Sequence, residues 1–304
     1  MGKKAGKNMR EVMEKVLIVG AGFMGSGIAQ VSAQAGYQVH LMDIQTAITD
    51  RALRDIRWSV EKLASKGLLR EPSHEVLERI LPEKDLSSAS EVDWVIEAAL
   101  EVEELKCGIF QELDRISRPE IPLATNTSSI PVTRLAENTR RPERVLGLHF
   151  FGPVPLMRLV EVVKGEKTSL EIFERGVTFV QSLEKTPVRV QRDIPGFVMN
   201  RIFSAAFREA VDLVDQGIVR PEDVDVGMRL GYGWNAGPFE IADNAGLDTC
   251  ARIAQTMRAL GVGHLVSSSN LIERMVVEGR LGRKTGKGFY RYSPEGKRLP
   301  WENK

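Results

Sequence analysis

Lys15-Val-Leu-Ile-Val-Gly20-Ala-Gly22-Phe23-Met24-Gly25 is an apolar run that breaks into a glycine-rich turn. The run reads as a buried strand. Small residues from Met24 to Ala35 follow at helical density, and Gly36 stops them. A strand, a Gly-x-Gly-x-x-Gly turn and a helix form the unit in which backbone amides face a pyrophosphate. Gly20 permits the tight turn, Gly22 lets the backbone approach the phosphates, and Gly25 lets the helix pack close to the strand. Phe23 and Met24 lie within the same phosphate loop. A second strand, Gln38-Val-His-Leu-Met-Asp43, ends on an acid at the spacing expected for binding a ribose 2′-hydroxyl. Asp43 would repel a 2′-phosphate, so the expected cofactor is NAD rather than NADP.

Outward from this unit, strand and helix signals alternate. An amphipathic helix spans Ala47 to Ser65, and another is expected over Glu75 to Ile80. Val92 to Glu97 and Ile121 to Thr125 read as strands flanking a helix over Val102 to Ile116. This alternation predicts a mostly parallel sheet covered by helices on both faces. After Thr186-Pro-Val-Arg-Val-Gln191 the strand signals almost vanish. Asp193 is placed to cap a helix entered through Pro195. Phe197, Val198, Ile202, Phe203, Ala206, Phe207, Val211 and Val214 recur at helical spacing, and Gly217 ends the run. Further helices are expected over 221–230, 238–245, 249–260 and 269–279. The expected fold is α/β: a Rossmann-type domain over 14–192, then an all-helical domain over 193–304. Residues 1–13 read as a disordered tail. The long apolar helix after Phe197 points to a large interface between subunits.

The chain has 304 residues, with 42 Lys and Arg against 41 Asp and Glu, a net charge of +1. That balance gives no electrostatic footprint for nucleic acid or an anionic membrane. No apolar run reaches membrane-spanning length. The basic N-terminus lacks the apolar segment of a secretory signal, so a cytoplasmic protein is expected. Cys107 and Cys250 have no metal-type spacing and read as plain thiols, and no metal is expected.

His149 lies in Val145-Leu-Gly-Leu-His149-Phe-Phe-Gly152-Pro-Val-Pro155-Leu-Met-Arg-Leu-Val-Glu161-Val-Val163, with Glu161 in the same apolar stretch. Buried among Val, Leu and Phe, both groups cost free energy unless they satisfy each other or a ligand. A turn centred on Pro155 would place residues 149 and 161 opposite one another. A carboxylate beside an imidazole fixes its tautomer and stabilises its protonated form, as a general base requires. His40, His74 and His264 have no carboxylate partner nearby in the sequence, so His149 is the best general acid or base. Thr125-Asn-Thr-Ser128-Ser-Ile follows a strand, where ligands bind in such sheets. Ser128 or Ser129 would donate to a substrate oxygen there, or the segment only caps the helix after Pro131.

Taken with Val95-Ile-Glu-Ala98, Asn126-Thr-Ser-Ser129, Leu148-His-Phe-Phe151, Leu159-Val-Glu-Val162, Pro195-Gly-Phe, Gly237-Pro-Phe-Glu240 and Gly282-Arg-Lys-Thr-Gly-Lys-Gly-Phe-Tyr290, these segments resemble the L-3-hydroxyacyl-CoA dehydrogenases. The likeness is to the single-function 3-hydroxybutyryl-CoA dehydrogenase type and covers nearly the whole chain after the tail. It implies NAD-dependent oxidation of a short-chain L-3-hydroxyacyl-CoA to the 3-ketoacyl-CoA, and the reverse. It implies His149 as the catalytic base with Glu161 as its carboxylate, and Ser128 and Asn200 near the acyl carbonyl. By the same resemblance Glu101, Lys106, Ser128 and Lys284 lie near NAD, Ser59, Lys66 and Ser128 hold the CoA substrate, and a homodimer forms through the helical domain. Two departures stand out. The family has Asn where this chain has Gly152, and often has Met before Gly237-Pro238 where this chain has Trp234-Asn-Ala236. The alternatives are a relative acting on another hydroxy acid or a modified acyl-CoA, and a non-catalytic nucleotide-binding protein.

Overall fold

The computed structural model describes residues 13–300. The N-terminal tail, except Met13, lies outside them. Two compact units divide at residue 194, the first ending at Ile194 and the second beginning at Pro195.

In the first unit the strands are β1 (Lys15–Val19), β2 (Gln38–Met42), β3 (Ile80–Glu83), β4 (Trp94–Glu97), β5 (Leu123–Thr125), β6 (Val145–Phe150), β7 (Leu159–Lys164) and β8 (Thr186–Val190). The helices are α1 (Phe23–Gln34), α2 (Thr46–Ala64), α3 (Ser73–Glu78), α4 (Glu103–Ile116), α5 (Val132–Ala136) and α6 (Leu170–Ser182). The strands form one sheet in the order β3-β2-β1-β4-β5-β6-β7-β8. All neighbours run parallel except β6 and β7. The order reverses between β1 and β4, which is the switch point where ligands bind in open α/β sheets. Every residue of β4 and all but Lys15 of β1 are buried, so helices cover both faces. That is why these strands read as unbroken apolar runs.

Two elements differ from the sequence reading. The segment near Ile80 is a shorter helix followed by β3, which extends the sheet edge beside β2. Leu170–Ser182 is a helix that the strand-dominated reading of its surroundings did not assign, capped by Ser169 accepting from the Ile172 amide.

The second unit is helical: α7 (Met199–Asp215), α8 (Pro221–Tyr232), α9 (Pro238–Ala245), α10 (Leu247–Ala259) and α11 (Leu271–Val277). A C-terminal segment after Leu281 pairs only through isolated bridges. Two buried carboxylates tie it in. Asp225 on α8 accepts from the Phe239 and Glu240 amides and from the Tyr290 hydroxyl at 2.6 Å. Asp243 on α9 accepts from the Phe289 and Tyr290 amides and from the Tyr292 hydroxyl. Gly237 must be a glycine, since a Cβ there would stand 2.2 Å from the Asp225 carboxyl carbon.

The expected cap of this unit's first helix is corrected. α7 begins at Met199, not just after Pro195. Asp193 accepts from the Thr133 amide at 2.8 Å and so caps α5 of the first unit. Pro131 has no side chain able to serve that end, and Asp193 supplies the missing acceptor.

Candidate active site

The carboxyl edge of the sheet carries the site in the first unit. At the end of β1, Gly20 has φ +102°, and a Cβ there would lie 2.6 Å from the Ala98 carbonyl oxygen. Gly25 approaches the same turn so closely that a Cβ would overlap the Gly20 carbonyl oxygen. Gly22 differs: no atom lies within 4 Å of its absent Cβ. No side chain caps the amides that open α1. An open cradle of uncapped amides fits a pyrophosphate. Asp43 lies against this turn, its Oδ2 accepting from the Ala21 amide at 2.9 Å and its Oδ1 from the Gln45 amide at 3.1 Å. The acid is therefore held beside the nucleotide cradle by the turn itself.

Beyond β4 and β5 lies a carboxylate network. Glu97, wholly buried, accepts from the Lys106 ammonium at 2.6 Å, the Ala99 amide at 2.7 Å and the Thr125 hydroxyl at 2.7 Å. Lys106, only 1 % exposed, also stands 3.4 Å from Glu101. Glu101 gathers the next loop: its Oε1 accepts from the Thr127 hydroxyl, the Ser128 and Ser129 amides and the Ser129 hydroxyl. Burial pushes the Glu101 carboxyl up, but the Lys106 charge and these hydrogen bonds outweigh it and hold it below the usual carboxylate range. The ammonium of Lys106 faces carboxylates rather than open space, and it orders Glu101. Sequence reasoning missed Glu97. The signal was available, since an acid closing an apolar strand is the same anomaly that singled out Glu161.

β6 and β7 pair antiparallel with His149 opposite Glu161. His149 Nδ1 lies 2.8 Å from Glu161 Oε2, and both side chains are buried. A carboxylate on Nδ1 makes that nitrogen the donor and leaves proton exchange to Nε2. The Phe151 ring packs 4.6 Å from the imidazole. Asn126 Oδ1 accepts from the Phe150 amide at 2.9 Å, which fastens the 126–129 segment to the strand carrying His149. The structure thus gathers the glycine turn, Asp43, Glu101, Lys106, Ser128, His149 and Glu161 on one unit. His40 is a correction to the elimination used for the histidines, because Glu83 on β3 lies 2.5 Å from its Nδ1. A partner 43 residues away, on a strand absent from the sequence reading, was not visible there.

The 151–158 connection is held from behind by Lys185, which donates to the Val154 and Met157 carbonyls at 2.7 Å each. Burial lowers the Lys185 ammonium from its ordinary range. The Phe23 ring, 69 % exposed, occupies the space beside Gly152: a Cβ at 152 would be 2.7 Å from Phe23 Cε1. A groove of about 830 Å³ runs between α1, α2 and this connection. Its lining includes Ser26, Gln30, Trp58, Ser59, Lys66 and Leu156. Ser59 and Lys66 therefore open onto one cavity.

In the second unit Asn200 lies in the first turn of α7 and lines an apolar pocket with Phe203 and Met257. Lys284 pairs with Asp248 at 2.5 Å. Burial pushes the Cys250 thiol up to about 12, well outside the range of a reactive cysteine. Among the described residues no helix is long and apolar enough to cross a membrane, and no group of three His, Cys, Asp or Glu is arranged to hold a metal ion.

Comparison with known proteins agrees over residues 15–194 and 196–292. Residues 15–194 match the NAD binding domain of 3-hydroxyacyl-CoA dehydrogenase, and residues 196–292 match the C-terminal domain of the same family. A probable 3-hydroxybutyryl-CoA dehydrogenase of Deinococcus radiodurans is 43 % identical over 276 residues, covering 90 % of this chain and 99 % of the relative. A 3-hydroxybutyryl-CoA dehydrogenase of Bradyrhizobium diazoefficiens is 40 % identical over 285 residues, covering 93 % and 97 %. The crystal structure of an (S)-3-hydroxybutyryl-CoA dehydrogenase from Ralstonia eutropha superposes with a TM-score of 0.86 at 38 % identity, covering 93 % of this chain and all of that one.

Proposed function

The chain belongs to the 3-hydroxyacyl-CoA dehydrogenase family, and we propose that it oxidises short-chain L-3-hydroxyacyl-CoA to 3-ketoacyl-CoA, and runs the reverse, with NAD. The observation that carries this reading is the buried His149–Glu161 pair at the carboxyl edge of a sheet whose first turn is an open phosphate cradle.

NAD, when bound, supplies the acceptor for the C3 hydride. The protein's part is proton transfer and alignment. His149 takes the 3-hydroxyl proton at Nε2 during oxidation and returns it during reduction. Glu161 fixes the ring and stabilises the imidazolium that forms. Ser128 and Asn200 hold the substrate oxygens where charge shifts. The residues assigned to NAD are Gly20, Gly22, Phe23, Met24, Gly25, Asp43, Glu101, Lys106, Ser128 and Lys284. Glu101, locked by the 127–129 amides and hydroxyls, keeps Ser128 in place, and Ser59 and Lys66 hold the CoA in the groove. Substrate anchoring at the CoA end pre-aligns C3 with His149, which lowers the entropic part of the barrier.

We also assign a homodimer built on the apolar face of α7, supported by the exposure of Ile202 on that helix. A cytoplasmic location completes the reading. The test is NADH oxidation by the full chain with acetoacetyl-CoA and longer 3-ketoacyl-CoAs, with NADPH as the comparison. Turnover with NADH that falls with acyl length supports the reading. Absence of turnover at every length removes it.

A further inference from the structure

We propose that Trp58 is the stacking platform for the adenine of the bound CoA, with Lys62 and Lys66 carrying its phosphates along the same wall of the groove. The proposal rests on the acyl-CoA reading given above and adds a ligand contact to it. α2 buries Thr49, Ala52, Ile56 and Val60 against the unit, so packing is served by another face. Trp58 is not needed there, and it is 63 % exposed. An indole left in water costs free energy, and an exposed large aromatic inside a groove is the informative case. Trp58, Lys62 and Lys66 all line the groove: Trp58 and Lys62 one helical turn apart on α2, and Lys66 two residues past its end. Lys62 Nζ stands over the Trp58 ring, 4.4 Å from its centroid, so an ammonium already sits on one face of the indole and the adenine takes the other. A flat hydrophobic ring, a cation one turn on and a second cation just past the helix end match a ligand with a planar base and phosphates on its ribose. Coenzyme A has that arrangement, and its pantetheine arm then runs past Ser59 toward the 151–158 connection.

Base stacking on an aromatic is sequence-tolerant and sensitive to truncation of the ring. The experiment compares two substrates: acetoacetyl-CoA, and acetoacetyl-pantetheine, which lacks the adenosine phosphates. Trp58→Ala should raise KM for acetoacetyl-CoA roughly tenfold, leave kcat within about twofold, and leave KM for acetoacetyl-pantetheine unchanged. Trp58→Phe should recover most of the loss. Calorimetric titration with CoA alone should show the same weakening, with the melting temperature of both variants close to that of the wild type. A KM for acetoacetyl-CoA that moves less than twofold in Trp58→Ala overturns the proposal. So does an equal rise for both substrates. If the wild type binds no CoA and turns over neither substrate, the acyl-CoA reading itself falls, and the platform with it.

Discussion

Glu97 and Lys106 stand 2.6 Å apart with essentially no side-chain exposure, beneath the loop that bears Ser128. A pair so buried is costly to break from one side only, by about 3–5 kcal/mol, because the remaining charge is stranded. Lys106→Met should lower the melting temperature sharply. Glu97→Gln/Lys106→Met should recover much of that loss, since neither charge remains. Calorimetry of the wild type, Glu97→Gln, Lys106→Met and the double variant checks this, and additive losses would contradict it.

His149→Ala should reduce kcat by about 10²–10⁴-fold, the range for loss of a general acid or base. NADH affinity, read by fluorescence titration, should not change. Glu161→Gln preserves the shape of the pair and should still lower kcat, because the amide no longer stabilises the imidazolium. Near-normal turnover in either variant would remove the proton-transfer assignment.

Asp43 holds the cradle and offers its carboxylate beside it. Asp43→Ala should weaken NAD by roughly tenfold and narrow the preference over NADP, since a repulsive charge is gone. The ratio of kcat/KM with NADH and NADPH measures it, and an unchanged ratio argues against the ribose role.

Gly152→Asn forces the Phe23 ring aside, because the added Cβ falls 2.7 Å from Phe23 Cε1. The single variant should lose kcat/KM for acetoacetyl-CoA. Adding Phe23→Leu should restore part of it, and the two effects should be non-additive, as for residues in contact. Strict additivity in the four-protein cycle would show that the contact carries nothing.

Glu101 has a folded pKa below its ordinary value, so the sign of its contribution follows. Its stabilisation is complete above the unfolded value, near 4.5, and is lost as pH falls through the lower folded value. Glu101→Gln should therefore flatten the fall in unfolding free energy as pH drops below the ordinary carboxylate value of 4.5, as measured by urea denaturation. Asp225 and Asp243 act with the opposite sign. Burial raises both, so their contribution is fullest below 3.8 and is lost as pH rises through their raised values.

The parts of the fold and site that depend on neighbours in the chain were legible. The β1 turn and α1 are specified by four consecutive apolar residues and three glycines. The His149–Glu161 pairing followed from equal spacing about Pro155, and β6 and β7 adopt that register. Contacts that bridge distant segments were not legible. Asp193 looked like the cap of the helix after it and serves one 60 residues earlier. The sequence does not single out Lys185, since its two acceptors lie 31 and 28 residues back. Such residues pay for burial with partners that only the tertiary structure supplies.

The C-terminal segment sets the order in which the helical unit can be completed during synthesis. Asp243 is made 46 residues before the Phe289 amide that it accepts from, and its two other donors come later still. Until those residues leave the ribosome, closing α9 into the interior would bury a carboxylate with none of these three donors. A nascent chain ending before residue 288 should therefore keep α9 open to protease, while one reaching Tyr292 should protect it. The stretch from Phe289 to Tyr292 thus acts as a latch on α9.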